Sequence, residues 1–453
     1  MTARPLDAPS APKRRTPEYL PAADGTAHTH TLATSTLVGQ TEAGHVVPGQ
    51  SEASAPGDAS RTLDRRSVLK GVGAAGLTVL VAGTGVVSYR VYDNGVLDAG
   101  AGTPYDAWSH WRDDPSPSGA VAAAILAANP HNTQPWRFHV TASAIDVFSD
   151  PSRRMPFTDP LEREHQIGLG CALENLIVAL EARGYRPDLR LLPASADPTH
   201  VAAVALSTTA KIPSSQYDAI GSRHSDRGPY TSARVPATTL SALAALAQGL
   251  PGVTVRWVTS PAEMSTLSAL LIDAAEAVVA DQDQSAEGFS WFRNNRDAIE
   301  KHRDGLTLDG QGLAPITLTL AKLLPASSRT AGDQFWLTQT RTVHTGTAAA
   351  YGVITVTDPA DPATRLNGGR LMQRIHLAAT TDQLSLQYMN QITERIDRDQ
   401  ATNRPDTFGP RFDRLLGQQV DQQGRHGLVT FRLGHPQRST RKSPRRSLNA
   451  ITT

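Results

Sequence analysis

The sequence predicts a protein of the α+β class. Windows with helical spacing of apolar residues alternate with short windows rich in β-branched and aromatic residues. Hydrophobic residues make up 39% of the 453 positions, which is enough to build a core. The order helix, strand, long helix, strand occurs twice along the chain, which suggests an internal duplication.

The composition excludes several classes of protein. The chain has 44 basic and 43 acidic residues and a net charge of +1, so nothing favours nucleic acid as its main partner. A single cysteine, Cys171, excludes an internal disulfide and a paired-cysteine zinc site. We expect this thiol to pack in the core. A mean hydropathy of −0.31 excludes a polytopic membrane protein.

The first hundred residues differ from the rest. Residues 1–60 are rich in Ala, Pro, Ser, Thr and Gly, which predicts a disordered tail. Paired arginines in the segment 64–70, an apolar stretch over 71–89 and the small residues 99–101 resemble a twin-arginine export signal. Residues 61–103 are therefore predicted to address the chain to the twin-arginine translocase and the cell envelope or exterior. A retained single-span membrane anchor is the alternative.

Residues 104–210 are predicted to form the first half of the body. A Leu-rich apolar face predicts a long helix over 165–184, which Gly184 ends. The other predicted elements are a helix at 117–128 and strands at 134–140, 144–148, 190–193 and 201–206.

Residues 211–453 are predicted to form the second half. Apolar residues at helical spacing over 366–382 predict its long helix. The remaining predictions are helices at 214–221, 237–248, 260–281 and 287–302, strands at 253–258, within 345–356, at 384–388 and at 428–433, and loops at 359–362 and over the last twenty residues.

Three polar segments are candidates for chemistry, and each also has an ordinary structural explanation. Residues 129–138 place amides and a threonine between a helix and a strand, which suits a polar heteroaromatic ligand or a simple helix end and turn. Residues 223–230 hold two arginines four positions apart around a serine, which suits a phosphate monoester or a solvated basic loop. Residues 441–448 are a basic tail or the far side of the same phosphate site.

Together these segments resemble the nitroreductase superfamily of FMN-dependent oxidoreductases. Residues 129–138 look like its P-x-x-N-x-Q-P-W-x-F signature, 223–227 like its R-x-S-x-R/K element, and 433–448 like its arginine-containing C-terminal ending. Residues 170–176 resemble its long core helix. The length and order resemble the Acg-type subfamily, in which two nitroreductase-like halves are fused as an intramolecular pseudo-dimer. The resemblance covers nearly all of 104–453.

The resemblance implies one FMN per chain, held between the halves of a monomer that acts as an internal dimer. It implies neither a catalytic side chain nor a metal. Arg293 and Asn294 are secondary candidates for the flavin site. The FMN contacts carried over by position are Asn129, Pro130 and Asn132 from the first half and Arg223, Ser225, Arg227, Asn390, Gln391 and Arg445 from the second.

The function implied is an oxidoreductase that passes electrons from NAD(P)H or another donor through FMN to a small conjugated acceptor. Export favours another donor, because NAD(P)H is scarce outside the cytoplasm. The alternative is a protein that sequesters FMN under a lid with little turnover. Residues 303–345 are the candidate lid, with hinges at 303–306 and 310–312, or else a plain connecting loop.

Overall fold

The computed structural model describes residues 93–96, 99–194, 196–420 and 424–453. These residues combine helices with two antiparallel four-stranded sheets and one short parallel pair of strands, which confirms the α+β class. The tail predicted for 1–60 and the paired arginines of 64–70 lie outside the described residues. Within the described ranges, every helix is too short or too polar to span a bilayer.

The first half follows the predicted order. Its β3 strand begins five residues before the predicted strand and contains Pro187. An edge strand tolerates proline because one side of its backbone makes no ladder hydrogen bonds, and β3 lies at the edge of its sheet. The elements are α1 (Ala107–His110), α2 (Pro117–Ala124), β1 (Trp136–Val140), β2 (Ala144–Ser149), α3 (Arg163–Arg183), β3 (Tyr185–Leu191) and β4 (His200–Thr208).

The second half contains more helices than predicted. Its elements are α4 (Ser215–Ala219), α5 (Ala237–Ala245), β5 (Val253–Val258), α6 (Pro261–Ala280), α7 (Gln282–Ser290), β6 (Phe292–Arg293), α8 (Arg296–His302), β7 (Leu306–Thr307), α9 (Pro315–Leu323), α10 (Arg329–Gln339), β8 (Ala350–Val356), α11 (Pro362–Thr381), β9 (Ser385–Tyr388), α12 (Gln391–Ala401), α13 (Gly409–Val420) and β10 (His426–Gly434).

Two predicted boundaries are wrong for local reasons. The helix predicted over 287–302 is split, because β6 pairs with β7 and the Asn295 side chain then caps α8. The loop predicted at 359–362 ends early. The Asp361 side chain accepts a hydrogen bond from the Thr364 amide at 2.8 Å, and Pro362 occupies the first helical position of α11.

The two halves share one sheet topology. The first sheet has the order β1-β2-β4-β3, and the second has the order β5-β8-β10-β9. In each four-stranded sheet, two strands precede the long helix of that half and two follow it, and all neighbouring strands are antiparallel. The repeated order of elements noted in the sequence is therefore also a repeat of topology.

The two long helices, α3 and α11, cross at glycines. A Cβ atom on Gly170 would lie 2.1 Å from the Leu366 carbonyl oxygen, and one on Gly369 would lie 2.1 Å from that of Ile167. Only glycine permits such a close approach of two backbones. Cys171 lies at the crossing, where its thiol donates to the Gly369 carbonyl oxygen at 3.2 Å. Burial raises the pKa of Cys171 to about 12, which agrees with a packing role.

The C-terminus returns to the first sheet. The Phe138 amide of β1 donates to the Ile451 carbonyl oxygen at 2.8 Å, and the Thr453 amide donates to the Phe138 carbonyl oxygen at 2.9 Å. Phe138 and the neighbouring Trp136 are fully buried in the core. The second half thus crosses the first, which carries its C-terminal arginines past the loop at 129–134.

Candidate functional site

A cavity of about 300 Å³ lies where the two halves meet. Its walls come from residues 128–171 of the first half and from several segments between 225 and 394 of the second. Small-molecule sites in proteins commonly have roughly this volume or more. This cavity is therefore the candidate ligand site.

The loop 129–134 forms one wall and has an unusual backbone. His131, Asn132 and Gln134 have φ angles of 45°, 57° and 55°, in the left-handed region that residues other than glycine seldom adopt. The Asn129 Oδ1 atom accepts a hydrogen bond from the Gln134 amide at 2.8 Å and so holds the loop in this shape. Such strain concentrates at binding and catalytic sites.

Close packing on α3 brings this loop to the cavity. A Cβ atom on Gly168 would lie 3.1 Å from the Asn129 Cβ and from the Pro130 Cδ. The glycine therefore lets the loop rest directly on the helix. Asn129, Pro130 and His131 all line the cavity.

A partly buried arginine, Arg227, also lies on the cavity wall. Ser225 forms an isolated β-bridge with Leu386 of β9. Ser225 and Arg227 both line the cavity. The Nη1 atom of Arg227 donates to the Gly310 carbonyl oxygen at 3.3 Å. Within the described part of the chain, no ion pair to Arg227 is found. Burial lowers its pKa, but a guanidinium keeps its charge in proteins.

Two histidines lie close to this charge. His131 and His344 both line the cavity. Burial, with a further contribution from Arg227, lowers the pKa of His131 to about 4. Burial, Arg432 and Arg227 lower the pKa of His344 well below its usual value. Both rings are therefore neutral near pH 7, and Arg227 is the positive centre of this end of the cavity.

Asn390 and Gln391 line the cavity at the junction of β9 and α12. The Asn390 Oδ1 atom accepts from the Thr430 amide at 3.1 Å. The Gln391 Nε2 atom donates to the Leu271 carbonyl oxygen at 3.4 Å. Asn294 also contributes to the wall, whereas Arg293 is paired with Asp304.

Three predicted residues lie away from the cavity lining. Arg223 Nη2 donates to the Leu126 carbonyl oxygen at 2.8 Å, and Arg445 Nε donates to that of Ile125 at 2.6 Å. These carbonyls belong to the C-terminal end of α2, where positive groups stabilise a helix. Asn132 accepts from Arg445 Nη1 at 2.7 Å. The fold brings these residues together, as their order in the sequence predicts, but here they hold a helix end. Their predicted contact with a phosphate stays a prediction.

The predicted lid, 303–345, carries two helices and contributes apolar side chains to the cavity. The Gln134 Nε2 atom donates to the Arg303 carbonyl oxygen at 2.8 Å. The Asn132 Nδ2 atom donates to that of Gly305 at 3.2 Å. The segment is thus tied to the loop 129–134 at its base. Its cavity-lining residues include Leu306, Leu308, Leu313, Ala321, Phe335 and Trp336.

The sequence analysis missed two carboxyls in the cavity wall, the buried Glu164 of α3 and the half-buried Glu394 of α12. It also missed Gln284 of α7 and the aromatic residues of α7 and α10. A carboxyl in the first turn of a helix is usually a solvated group that favours the helix N-terminus. Nothing local in the sequence distinguishes these two from such groups.

No family model matches the chain. A protein of Mycobacterium tuberculosis provisionally named NAD(P)H nitroreductase is 29% identical over 188 residues, 40% of this chain and 53% of the relative. The Acg protein of the same species, with the same provisional name, is 32% identical over 114 residues, 24% of this chain and 34% of the relative. The chain thus spans about half, or less, of the length of the curated relatives it matches.

Two solved structures show weaker similarity. One is a nitroreductase with bound FMN from Desulfitobacterium hafniense, at 16% identity over 53% of this chain and 98% of that one, with a TM-score of 0.32. The other is the FMN-dependent nitroreductase NfnB from Mycobacterium smegmatis in complex with NADPH, at 13% identity over 53% and 97%, with a TM-score of 0.30. In sequence, this chain is similar to mycobacterial proteins named as nitroreductases over part of its length.

Proposed function

We propose that this chain is an FMN-binding oxidoreductase of the nitroreductase type, with its two topologically equivalent halves acting as an internal pseudo-dimer. The observation that carries the proposal is the pair Ser225 and Arg227 on the wall of the cavity. A partly buried guanidinium near a hydroxyl suits a phosphate monoester. The provisional names of the mycobacterial relatives support the same function.

The residues present fit FMN in part. Ser225 and Arg227 would hold the phosphate, and the cavity-lining Asn129, Asn390 and Gln391 offer polar contacts to the ring. Arg223 and Arg445 donate instead to carbonyls at the end of α2. When bound, FMN supplies electron transfer between NAD(P)H or another donor and a small conjugated acceptor. The chain orients the ligand and excludes water with the apolar lid side chains.

A second candidate is a protein that stores or sequesters FMN. The observation in its favour is the lid, 303–345, whose Phe335 and Trp336 line the cavity wall. A closed apolar lid would slow the entry of a second substrate. In this case the flavin would bind tightly and remain oxidised.

One experiment separates the two candidates. The purified protein is titrated with FMN and then mixed with NADPH, or with dithionite as a reference reductant, in the absence of oxygen. Loss of the visible band of bound oxidised flavin with NADPH supports the oxidoreductase. Bound flavin that dithionite reduces, but NADPH does not, supports storage or a different physiological donor. Absence of FMN binding contradicts both candidates.

Export by the twin-arginine translocase is part of the proposal, because that route carries proteins already folded around a cofactor. The chain would act in the envelope or outside the cell, cleaved or anchored by one span. A double Arg65→Lys, Arg66→Lys substitution tests this. The variant should stay in the cytoplasm while the unaltered chain is exported. Equal export of both would contradict the assignment.

A further inference from the structure

Three buried polar side chains line the cavity with an atom that has no hydrogen-bond partner among the described residues. These atoms are Thr158 Oγ1, Glu164 Oε1 and Gln284 Nε2. The residues are only 3%, 7% and 1% exposed. Leaving a buried polar group unpaired is unfavourable, because the group has lost its hydrogen bonds to water. Three in one cavity wall indicate that a polar ligand group, or water, pairs with them.

Glu164 and Glu394 form a carboxyl pair in this part of the wall. Burial raises the pKa of Glu164 well above its usual value, and the negative charge of Glu394 raises it further. Burial likewise raises the pKa of Glu394 to about 7, opposed by a hydrogen bond with Glu164. Two neighbouring carboxyls whose pKa values are raised in this way retain a proton between them more strongly than isolated carboxyls do.

The cations close to this pair are already bound elsewhere. Arg395 donates to Gln284 Oε1 at 2.5 Å and to Asp399 at 2.6 Å. Arg163 is paired with Asp397 at 2.5 Å. The remaining charged neighbours are Asp159, whose pKa burial raises to about 6, and Arg365, which donates to the Leu161 carbonyl oxygen. Across the described ranges, no ion pair includes Glu164 or Glu394. The charge of Arg395 opposes the rise in the pKa of Glu394, but neither carboxyl has an ion-pair partner of its own among the described residues.

Aromatic side chains also line this cavity. Phe289 of α7 and the lid residues Phe335 and Trp336 line the same space. Aromatic faces attract organic cations, most strongly where water is excluded. Carboxyls together with aromatic walls are thus complementary to a positively charged nitrogen on an apolar body.

We propose that this end of the cavity binds an organic cation, an amine or amidine carried on an aromatic or apolar body, through Glu164 and Glu394. The N–H groups of the ligand donate to the two carboxylates, and the shared proton leaves to solvent as the cation enters. Gln284 Nε2 and Thr158 Oγ1 remain to bind a polar substituent of the same ligand. If this cation is the electron acceptor, that role rests on the proposed oxidoreductase function. The binding of the cation itself needs no flavin.

The test is calorimetric titration of the full-length protein, as purified and without added FMN, with benzamidine and with its neutral near-isostere benzamide. Each titration is run at pH 7 in two buffers of different ionisation enthalpy, which gives the number of protons released. Benzamidine should bind at least tenfold more tightly than benzamide and release close to one proton. Equal affinity for the two probes, or no binding of benzamidine, would overturn the proposal. If these polar atoms pair only with bridging water, benzamidine should show no binding or no preference over benzamide.

Variants locate the site. Glu164→Gln and Glu394→Gln should each lower benzamidine affinity at least tenfold and abolish proton release. Asp333→Asn is the matched control, because this carboxyl also lines the cavity but accepts a hydrogen bond from Ser285 Oγ at 2.7 Å. It should change affinity less than twofold. Should one glutamine variant fail to fold by circular dichroism, the other provides the same test. Proton release that persists in a folded glutamine variant would contradict the assignment.

A failure of the flavin proposal is recognised separately. If FMN does not bind but benzamidine binds with proton release, the oxidoreductase is wrong and the cation site stands. If FMN binds and is reduced but benzamidine and benzamide bind equally, the oxidoreductase proposal stands and the cation site is wrong. The two titrations share no readout.

Discussion

Arg227 reaches across the cavity wall to Gly310, where its Nη1 atom donates to the carbonyl oxygen at 3.3 Å. This contact joins the segment beside β9 to a turn of the predicted lid, 303–345. The guanidinium of Arg227 therefore belongs to the cavity wall and also contacts the segment 303–345. A ligand phosphate bound to Arg227 would be held by the same guanidinium that contacts Gly310, so ligand binding and the position of this turn would be coupled.

The first prediction concerns Arg227→Met. We expect FMN affinity to fall about 10- to 100-fold, which corresponds to the roughly 1.5–3 kcal/mol of a hydrogen bond to a charged group. Quenching of flavin fluorescence on titration measures this. Arg438→Met is the matched control, since Arg438 donates to the Gly312 carbonyl oxygen of the same turn at 3.0 Å but does not line the cavity. Equal losses of FMN affinity in both variants would show that the arginines act by holding the turn at 310–312, and not by binding the phosphate.

The second prediction concerns Arg445→Met. The substitution leaves the Ile125 carbonyl oxygen and the Asn132 side chain without their buried donor. We expect the free energy of unfolding, measured in urea without FMN, to fall by about 1–3 kcal/mol. Arg441→Met, at an exposed position of the same segment, should have little effect. Unchanged stability with a loss of FMN affinity would instead favour the phosphate role predicted from the sequence.

The third prediction concerns the helix crossing. Gly369→Ala would place a Cβ atom 2.1 Å from the Ile167 carbonyl oxygen. We expect a loss of about 1–3 kcal/mol, typical of overpacking in a core. Gly417→Ala is the control, because nothing lies within 4 Å of its Cβ position and alanine favours a helix by up to about 1 kcal/mol. Thermal unfolding should therefore show opposite shifts, and similar shifts would contradict the crossing.

The fourth prediction concerns pH. Burial raises the pKa of Glu394 from 4.5 to about 7, so the folded state binds a proton that the unfolded state has already lost. Stability therefore decreases as pH rises through this range. Relative to the unaltered chain, Glu394→Gln should gain roughly 1–3 kcal/mol between about pH 4.5 and 7. Urea unfolding at several pH values measures the difference.

Asp114→Asn is the control for this pH dependence. Hydrogen bonds from Ser116 lower the pKa of Asp114, so the contribution of this carboxylate to stability is lost only as the solution becomes more acidic than about pH 4. The difference between this variant and the unaltered chain should stay constant from pH 4.5 to 7. A constant difference for Glu394→Gln as well would show that its carboxyl is not perturbed.

Local patterns predict much of the fold. The predicted strand at 253–258 has the observed bounds, and the predicted bounds of the long helix α3 agree within two residues. Both patterns depend on which side chains face the core, and this is visible over a few turns or alternations. The family resemblance of the motifs also implies that Asn129, Ser225 and Arg227 share one site, and all three line the cavity.

Features that depend on distant partners could not be predicted. Glu164 and Glu394 are 230 positions apart, and only the crossing of the two halves makes them neighbours. Arg223 and Arg445 have the residue types that bind a phosphate, but the carbonyls at the end of α2 accept their hydrogen bonds. A competing acceptor of this kind is set by packing and leaves no trace in the spacing of the arginines.

The shared cavity wall has a consequence for assembly. Residues 128–171 and residues 225–394 face one another across the cavity within a single covalent chain. A site built between separate subunits is lost when dilution drives them apart, whereas linked halves keep a high effective concentration of each other. Ligand affinity in this protein should therefore be the same at nanomolar and micromolar protein concentration. Each half is also free to change independently, because no symmetry requires a substitution to occur twice around the site.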